Sequence, residues 1–381
     1  MTDAVCRVLV TGADGFIGKN LVLHLRELPR FAVIEFVRGV DVATLPQLLA
    51  QVDAVVHLAG ENRPLESSAF ALVNTGLTVA ICNAITAQVA SGGRRIPLLL
   101  ASSTQAEHDN PYGLSKLAAE MAVRALTRET GNPAVVFRLP GVFGKWCKPN
   151  YNSVVASFCH NITRGLPIHV NDPAAALQLV YIDDVVTSMA AAVDASLLPE
   201  ASGVSQGVVT PVYQTTVGEL AAQIHAFHDC RTSLMSERVG TGLVRALYAT
   251  YVSYLPSDRF AYELPQYADS RGVFVEMLKT PESGQFSYFT AHSGITRGGH
   301  YHHTKTEKFL VIKGTALFRF RHLLTDERFE LTTSGDKPQV VDTIPGWVHD
   351  ITNVGSDELV VMLWANEVFD RANPDTVGAP I

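Results

Sequence analysis

Gly12, Gly15 and Gly18 stand at spacings of three and three, directly after the β-branched run Cys6–Val10 and before an amphipathic stretch from Ile17 to Leu28. This junction constrains the fold more than any other feature of the chain. A strand that turns through glycines into a helix keeps Cβ atoms out of the turn and offers unpaired helix N–H groups to an anion such as a pyrophosphate. Glycine turns are common in themselves, so the flanking strand and helix carry the inference. Further apolar runs follow at Phe31–Val37, Asp53–Leu58 and Ile96–Leu100, with helical patterns at Ala69–Ala90 and Ser115–Arg128 between them. Strands alternating with helices predict βαβ units and an α/β, doubly wound parallel sheet.

After about residue 255 the texture changes. The runs Val273–Leu278, Lys308–Ile312, Ala316–Arg321 and Leu359–Trp364 are short and turn-bounded, as in an antiparallel sandwich or barrel. The seam is expected near Leu255-Pro256-Ser257, giving domains 1–255 and 256–381. Two domains suit 381 residues at roughly 150 per domain. With 47% hydrophobic and 18% charged residues, the chain can bury a core and is not mainly disordered. A net charge of −7 without a long basic run argues against nucleic acid as a partner. No apolar run reaches the roughly 18 residues of a membrane span, and no basic-then-apolar leader opens the chain. Neither a membrane nor secretion is therefore expected. Five scattered cysteines without a CxxC pair read as reduced thiols of a cytoplasmic protein.

Two groups of residues in the first half carry chemistry. The second strand, Ala32–Val37, runs into Arg38, where sites that prefer NAD carry an acid for the ribose hydroxyls. An arginine there suits a 2′-phosphate, so NADPH is the expected cofactor; Glu35 lies inside the strand and is not counted as the ribose acid. Tyr112 and Lys116 are four apart and share a helix face. The ammonium favours the phenolate and eases proton exchange with a carbonyl or alcohol oxygen. The pair follows Leu98-Leu99-Leu100-Ala101-Ser102-Ser103-Thr104, a strand ending in hydroxyls.

With His57-Leu58-Ala59-Gly60, Val73-Asn74-Thr75-Gly76, Arg138–Gly144 and Val180–Val185, these pieces resemble the extended short-chain dehydrogenase/reductase family over most of residues 1–250. The resemblance implies a Rossmann-type fold. It makes Tyr112 the general acid, Lys116 its partner, and Ser103 the hydroxyl that orients a substrate ketone, with Ser102 or Thr104 as alternatives. It also implies cofactor binding by Gly12, Gly15, Phe16, Ile17, Gly18, Arg38, Leu58, Ala59 and Lys116. Two departures are informative. Ser103 and Tyr112 are only nine positions apart, so the cover over a sugar must be built differently. Thr104-Gln105 stands where sugar dehydratases carry an acid–acid or acid–lysine pair, so dehydration is not expected.

The second half carries Gly294-x5-His300-x-His302-x4-Glu307-x6-Gly314 and, later, Pro345-Gly346-Trp347-Val348-His349. Strand residues two apart share a face, so His300 and His302 can both point inward. Three imidazoles and a carboxylate suit a divalent metal, Zn²⁺ foremost, without excluding Fe, Mn or Ni. His303 has the wrong parity for a ligand. The pattern resembles the two motifs of the cupin (jelly-roll) family. Phe274-Val275-Glu276 and Ile295–Tyr301 resemble the cupin epimerases acting on nucleotide-linked 4-keto-6-deoxy sugars. Those relatives usually work without metal and use the residue matching His300 as base. A metal-bound imidazole is a poor base, so either the metal is weak or structural or another group serves, with His303, Tyr301 and Lys308 left open.

The domain order and the segment Phe143–Asn152 resemble the bifunctional capsular-polysaccharide enzymes of the CapF/WbjC type. That resemblance implies C3 epimerisation, then NADPH-dependent C4 reduction, of a UDP-linked 2-acetamido-2,6-dideoxy-4-hexulose on the way to UDP-N-acetyl-L-fucosamine, and a homodimer. Residues 145–152 either line the sugar-nucleotide pocket or form an ordinary surface loop. Two other readings stay open: a reductase whose cupin only binds sugar or joins a dimer, and a metal-dependent cupin oxygenase fused to a dehydrogenase.

Overall fold

From Val8 onward β1 (Cys6–Thr11) is buried at every residue, as a central parallel strand covered on both faces must be. The computed structural model describes residues 5–62, 70–264, 267–269, 272–274, 278, 285–367 and 372–381. Val275, Glu276 and Ala69 of the sequence patterns lie outside them. β1 pairs in parallel with β2 (Phe31–Phe36) on one side and β3 (Ala54–His57) on the other. β4 (Leu98–Ser103) and β5 (Ala134–Leu139) continue the sheet. β6 (Gly141–Phe143), β7 (Ala176–Tyr181) and β9 (Tyr213–Thr216) make a separate small sheet, while β8 (Val204–Gly207) closes the large one. Its order is β2-β1-β3-β4-β5-β8. The chain moves outward from β1 to β2, then returns to β3 on the other side, so the order reverses at the end of β1. Ligands of open α/β sheets bind at such a switch point, and the glycines sit there.

Leu9, Val55, Leu98, Leu100 and Val136 form one core with Ile81, Ile85, Val123 and Leu126 of the helices Leu77–Ala90 and Pro111–Thr130. Val8, Val10, Val56 and Leu99 are as buried but alternate with that set, so they face the other side of the sheet. One apolar run is longer than the sequence reading allowed: Val73–Ala90 has the length and composition of a membrane span. Here it is the crossover between β3 and β4, with Thr78, Ile81, Cys82 and Ile85 buried. A βαβ crossover must be apolar where it covers the sheet, and these four residues form that face.

Packing divides the chain into two compact units, one up to Phe143 with Leu177–Gln214, the other Gly144–Ala176 with Thr215–Ile381. Residues before the expected seam at 255 thus belong with the all-β part. Side chains show why: Arg231 pairs with Asp342 at 3.4 Å, Arg245 with Glu367 at 2.8 Å, and Trp146 donates to His322 Nε2 at 3.0 Å.

The all-β part has two five-stranded antiparallel sheets and a hairpin of β11 (Tyr267–Asp269) and β12 (Gly272–Phe274). The first sheet contains β10 (Ala261–Glu263), β13 (Gln285–Ala291), β15 (Glu307–Lys313), β18 (Gln339–Asp342) and β20 (Leu359–Ala365). The second contains β14 (Thr296–Tyr301), β16 (Thr315–His322), β17 (Arg328–Ser334), β19 (Trp347–Asn353) and β21 (Val377–Gly378). Ala316, Phe318 and Phe320 alternate with less buried neighbours along β16. Phe318 meets Phe309 of the first sheet with ring centroids 6.0 Å apart, so the apolar faces of the two sheets form one core.

Candidate functional site

Gly12 adopts φ +67°, and a Cβ there would come within 2.7 Å of the Ala59 nitrogen. A Cβ on Gly18 would lie 2.1 Å from the Gly12 carbonyl oxygen, so Gly18 lets the helix rest on the turn. Gly15 is the N-cap of the helix Phe16–Arg26 and gives it no side-chain cap. A helix start without a capping side chain, opened by Phe16 and Ile17, fits the diphosphate of a dinucleotide. Leu58 and Ala59 border the same turn: their N–H groups donate to the Thr11 carbonyl at 3.2 Å and the Thr11 hydroxyl at 3.3 Å. Arg38 lies just beyond β2, 82% exposed, and pairs with Glu61 at 2.9 Å.

Beneath this turn a hydrogen-bonded chain fixes one histidine. The Thr78 hydroxyl donates to the Asn74 carbonyl at 2.7 Å and so must accept from His57 Nε2 at 2.8 Å. His57 Nδ1, 2.6 Å away, then accepts from the Thr11 hydroxyl. His57 is a single neutral tautomer, and burial, then the nearby Lys116 charge, push its pKa down to about 3.

The catalytic candidates meet at the end of β4. The helix Pro111–Thr130 is capped by Asn110, whose side chain accepts from Gly113 N–H at 2.8 Å. A Cβ on Gly113 would sit 2.2 Å from the Gln105 carbonyl oxygen, so the helix start rests directly on the turn Thr104–Glu107. That close packing is how nine positions connect Ser103 to Tyr112. Ser103 stands close enough to Tyr112 to lower its pKa. Ser102 instead donates to the buried Glu120 at 2.6 Å, which also holds Arg138 at 2.7 Å, so Ser102 is committed elsewhere. Burial raises the Tyr112 pKa, only partly offset by Ser103, and keeps the phenol protonated at neutral pH. Lys116 Nζ lies 5.9 Å from the Tyr112 ring centroid and donates to the Ala101 carbonyl at 3.0 Å. Burial lowers its pKa to about 8.

Two residues without an assigned role complete this site. Asn74, in a π-helical turn, accepts from Glu61 N–H at 2.7 Å and donates to Ser115 Oγ at 3.0 Å. A Cβ on Gly60 would lie 3.0 Å from Asn74 Oδ1 and 3.2 Å from Lys116 Nζ, so Gly60 leaves both polar groups room. Phe70 packs on Tyr112 with ring centroids 5.7 Å apart. A single aromatic before a helix gives no signal in sequence.

In the all-β part the ligand atoms of His300, His302, Glu307 and His349 lie within 4.8 Å of one another. Gly298 and Gly299 precede His300 at φ +101° and +73°, and the β14–β19 register shifts between Gly298 and His300. A Cβ on Gly298 would lie 2.9 Å from Asp350 Cα, so only glycine makes this bulge, which directs His300 to the cluster. Strand β14 ends at Tyr301, yet the rings of His300 and His302 are 5.0 Å apart. Glu307 Oε2 is 3.2 Å from His302 Nε2 and 3.6 Å from His349 Nε2, while Oε1 takes Lys305 Nζ at 2.7 Å. Burial opposes ionisation of Glu307, but its hydrogen bond to His302 and the neighbouring His349 ring prevail and hold the carboxyl well below its usual range. Burial, then His349 and His302, lower the His300 pKa to about 4.

The donor set fits a divalent metal. Both ring nitrogens of His349 are buried without a hydrogen-bond partner. His302 Nδ1 must donate to the Asp375 carbonyl, which can only accept. Its Nε2 and the Glu307 carboxylate therefore need a proton or a cation between them. Phe309 and Phe320 stand 6.3 and 6.4 Å from the His349 ring and keep the surroundings apolar. Lys308 is outside this cluster. It alternates with Glu307 along β15 and places Nζ 2.5 Å from Asp342 Oδ1 on the other face. Tyr301 and His303 pair with each other at 5.6 Å. Trp146, in the segment 145–152, donates to His322 Nε2 at 3.0 Å and packs on Gly346, where a Cβ would meet its ring at 2.7 Å.

Residues 8–201 match the NAD dependent epimerase/dehydratase family, and residues 267–377 match the polysaccharide biosynthesis C-terminal domain. A Pseudomonas aeruginosa protein named UDP-2-acetamido-2,6-beta-L-arabino-hexul-4-ose reductase is 56% identical over 375 residues, covering 98% of this chain and 99% of its own length. The crystal structure of the capsular polysaccharide assembling protein CapF from Staphylococcus aureus is 38% identical, with a TM-score of 0.62, over 98% of this chain and 100% of that one. UDP-glucuronic acid 4-epimerase from Bacillus cereus, in complex with NAD, shares the fold at 16% identity and a TM-score of 0.54, over 65% of this chain and 96% of that one.

Proposed function

The chain belongs to the NAD dependent epimerase/dehydratase family, in the two-part form of the CapF/WbjC type, and from that premise we propose the reaction it performs. Its substrate is a UDP-linked 2-acetamido-2,6-dideoxy-4-hexulose. The cupin inverts C3, and the N-terminal site then reduces the C4 ketone, in UDP-N-acetyl-L-fucosamine synthesis for capsule or O-antigen. The observation that carries the reading is the Ser103–Tyr112–Lys116 group and the three-histidine, one-carboxylate cluster in a single chain. The P. aeruginosa relative's named substrate and the capsular role in the S. aureus protein's name support it.

Ser103 and Tyr112 hydroxyls hold the ketone oxygen. Bound NADPH supplies the hydride. Tyr112, protonated by virtue of its raised pKa, gives its proton to the oxygen, and the Lys116 ammonium stabilises the phenolate left behind. Arg38 is assigned to the 2′-phosphate, which would draw it from Glu61. In the cupin, a divalent cation held by His300, His302, Glu307 and His349 supplies Lewis acidity toward the sugar carbonyl. A base of the cupin takes a proton from C3, acidified by the neighbouring ketone, and a proton is returned to the opposite face. His300, the least enclosed of the four, is the residue a ligand reaches first. The enzyme is assigned to the cytoplasm. A homodimer completes the proposal: Val79, Leu114 and Met121 leave apolar surface on the paired helices Leu77–Ala90 and Pro111–Thr130, 37%, 50% and 63% exposed.

One observation favours a second reading, a reductase with a non-catalytic cupin. His302, Glu307 and His349 are only 2%, 5% and 2% exposed, as suits a structural metal. Incubating a Tyr112→Phe variant with the 4-keto sugar nucleotide in D₂O, without NADPH, separates the two. The proposal expects deuterium at C3, lost in His300→Ala. Absence of exchange at C3 and C5 leaves the binding-module reading. Oxygen consumption would indicate the fused oxygenase.

A further inference from the structure

We infer that Asp375 is a positioning residue of the histidine cluster, holding His302 so that Nε2, and not Nδ1, faces a bound divalent cation. The inference rests on the metal reading above and adds to it a part of the chain that no metal-ligand motif contains. The Asp375 carbonyl takes the proton of His302 Nδ1. With that nitrogen committed, the only lone pair His302 can direct into the cluster is on Nε2, which lies 3.2 Å from Glu307 Oε2.

The carbonyl is itself held in place. The Asp375 carboxylate accepts from the backbone N–H of His303 at 2.8 Å, Thr304 at 2.7 Å and Lys305 at 2.6 Å, and from the Thr304 hydroxyl at 3.0 Å. These bonds fasten one residue near the C-terminus to the whole turn between His302 and Glu307. The same turn sets Lys305, whose Nζ holds Glu307 Oε1 at 2.7 Å and leaves Oε2 toward the histidines. Beyond Asp375 the chain stays bound to the sheet that bears His300 and His349. β21 pairs with β14 so that His300 stands opposite Gly378, Ala379 N–H donates to the Gly299 carbonyl at 2.9 Å, and Arg321 donates to the Pro380 carbonyl at 2.7 Å. Two of the four candidate ligands, His302 and Glu307, thus depend on Asp375 for orientation, one directly and one through Lys305.

The test uses the full chain with Asp375→Ala and Asp375→Asn, and reads metal binding apart from turnover. Zn²⁺ affinity is measured by competition with a chromogenic chelator, and the Co²⁺-loaded protein by its ligand-field absorption. Loss of an outer partner of a ligating histidine lowers metal affinity by about 10–100-fold. Asp375→Ala is expected to show that loss with an altered Co²⁺ spectrum. Asp375→Asn, which keeps one acceptor oxygen, should recover part of the affinity. An Asp375→Ala protein with parental far-UV circular dichroism and Zn²⁺ affinity within twofold of the parent overturns the inference. Should Asp375→Ala fail to fold, Thr304→Ala, which removes one hydroxyl from the same carboxylate, must still weaken Zn²⁺ binding, and unchanged affinity there overturns it. A parent that binds neither Zn²⁺ nor Co²⁺ instead removes the metal reading itself.

Discussion

Acid should destabilise the first unit through one buried histidine. His57 is enclosed between Thr11 and Thr78 as a neutral tautomer, with its pKa lowered from 6.5 to about 3. A lowered folded-state pKa means the unfolded chain binds the proton more readily. The stability present above pH 6.5 is therefore lost as pH falls toward 3. Between pH 7 and pH 5 the unfolded histidine becomes almost fully charged while the folded one stays neutral, a loss of about 2 kcal/mol. His57→Gln removes the titration and keeps an amide able to bond both threonine hydroxyls. Two packing units make global unfolding a poor readout, so urea-dependent hydrogen exchange in peptides covering β1 and β3 is the suitable assay. The parent should lose about 2 kcal/mol more than His57→Gln between the two pH values. Equal losses would refute the assignment of a neutral, proton-excluding His57.

Other perturbations probe separate parts of the account. Tyr112→Phe should lower the rate of ketone reduction about 10²–10⁴-fold, the range for loss of a general acid, while C3 exchange in D₂O continues. Arg38→Ala should raise the KM for NADPH far more than for NADH in steady-state assays, and equal effects would remove the 2′-phosphate assignment. Gly298→Ala forces a Cβ to within 2.9 Å of Asp350 Cα at φ +101°. It should weaken Zn²⁺ binding in a chelator competition, because the bulge that aims His300 cannot persist.

The parts of the architecture legible in the sequence are those with local periodicity. The glycine turn, the Tyr112–Lys116 spacing and the alternation around His300 and His302 are set within a few residues by strand and helix geometry. What stayed hidden depends on contacts distant in the chain. The segment Gly144–Ala176 packs in the second unit through partners such as Tyr254 and His322, which no local pattern marks. Lys305 reads as a surface lysine until the turn places it on Glu307. Lys308 stood among the candidate bases because parity alone does not say which face of β15 lines the cluster; its pairing with Asp342 decides that. No local pattern pairs Arg38 with Glu61, which follows β3 and meets it at 2.9 Å. The choice among Ser102, Ser103 and Thr104 likewise needed Glu120, which takes Ser102 out of the site.

The central claim is that one chain inverts C3 and then reduces C4. Its most direct test is to supply the 4-keto sugar nucleotide with [4-²H]NADPH in H₂O, and in parallel with unlabelled NADPH in D₂O, and to analyse each product by NMR and mass spectrometry. The account predicts one cofactor-derived deuterium at C4 in the first experiment, one solvent deuterium at C3 with inverted configuration in the second, and one NADPH oxidised per product. A reduced product that carries no solvent deuterium at C3 and keeps its original configuration would contradict it.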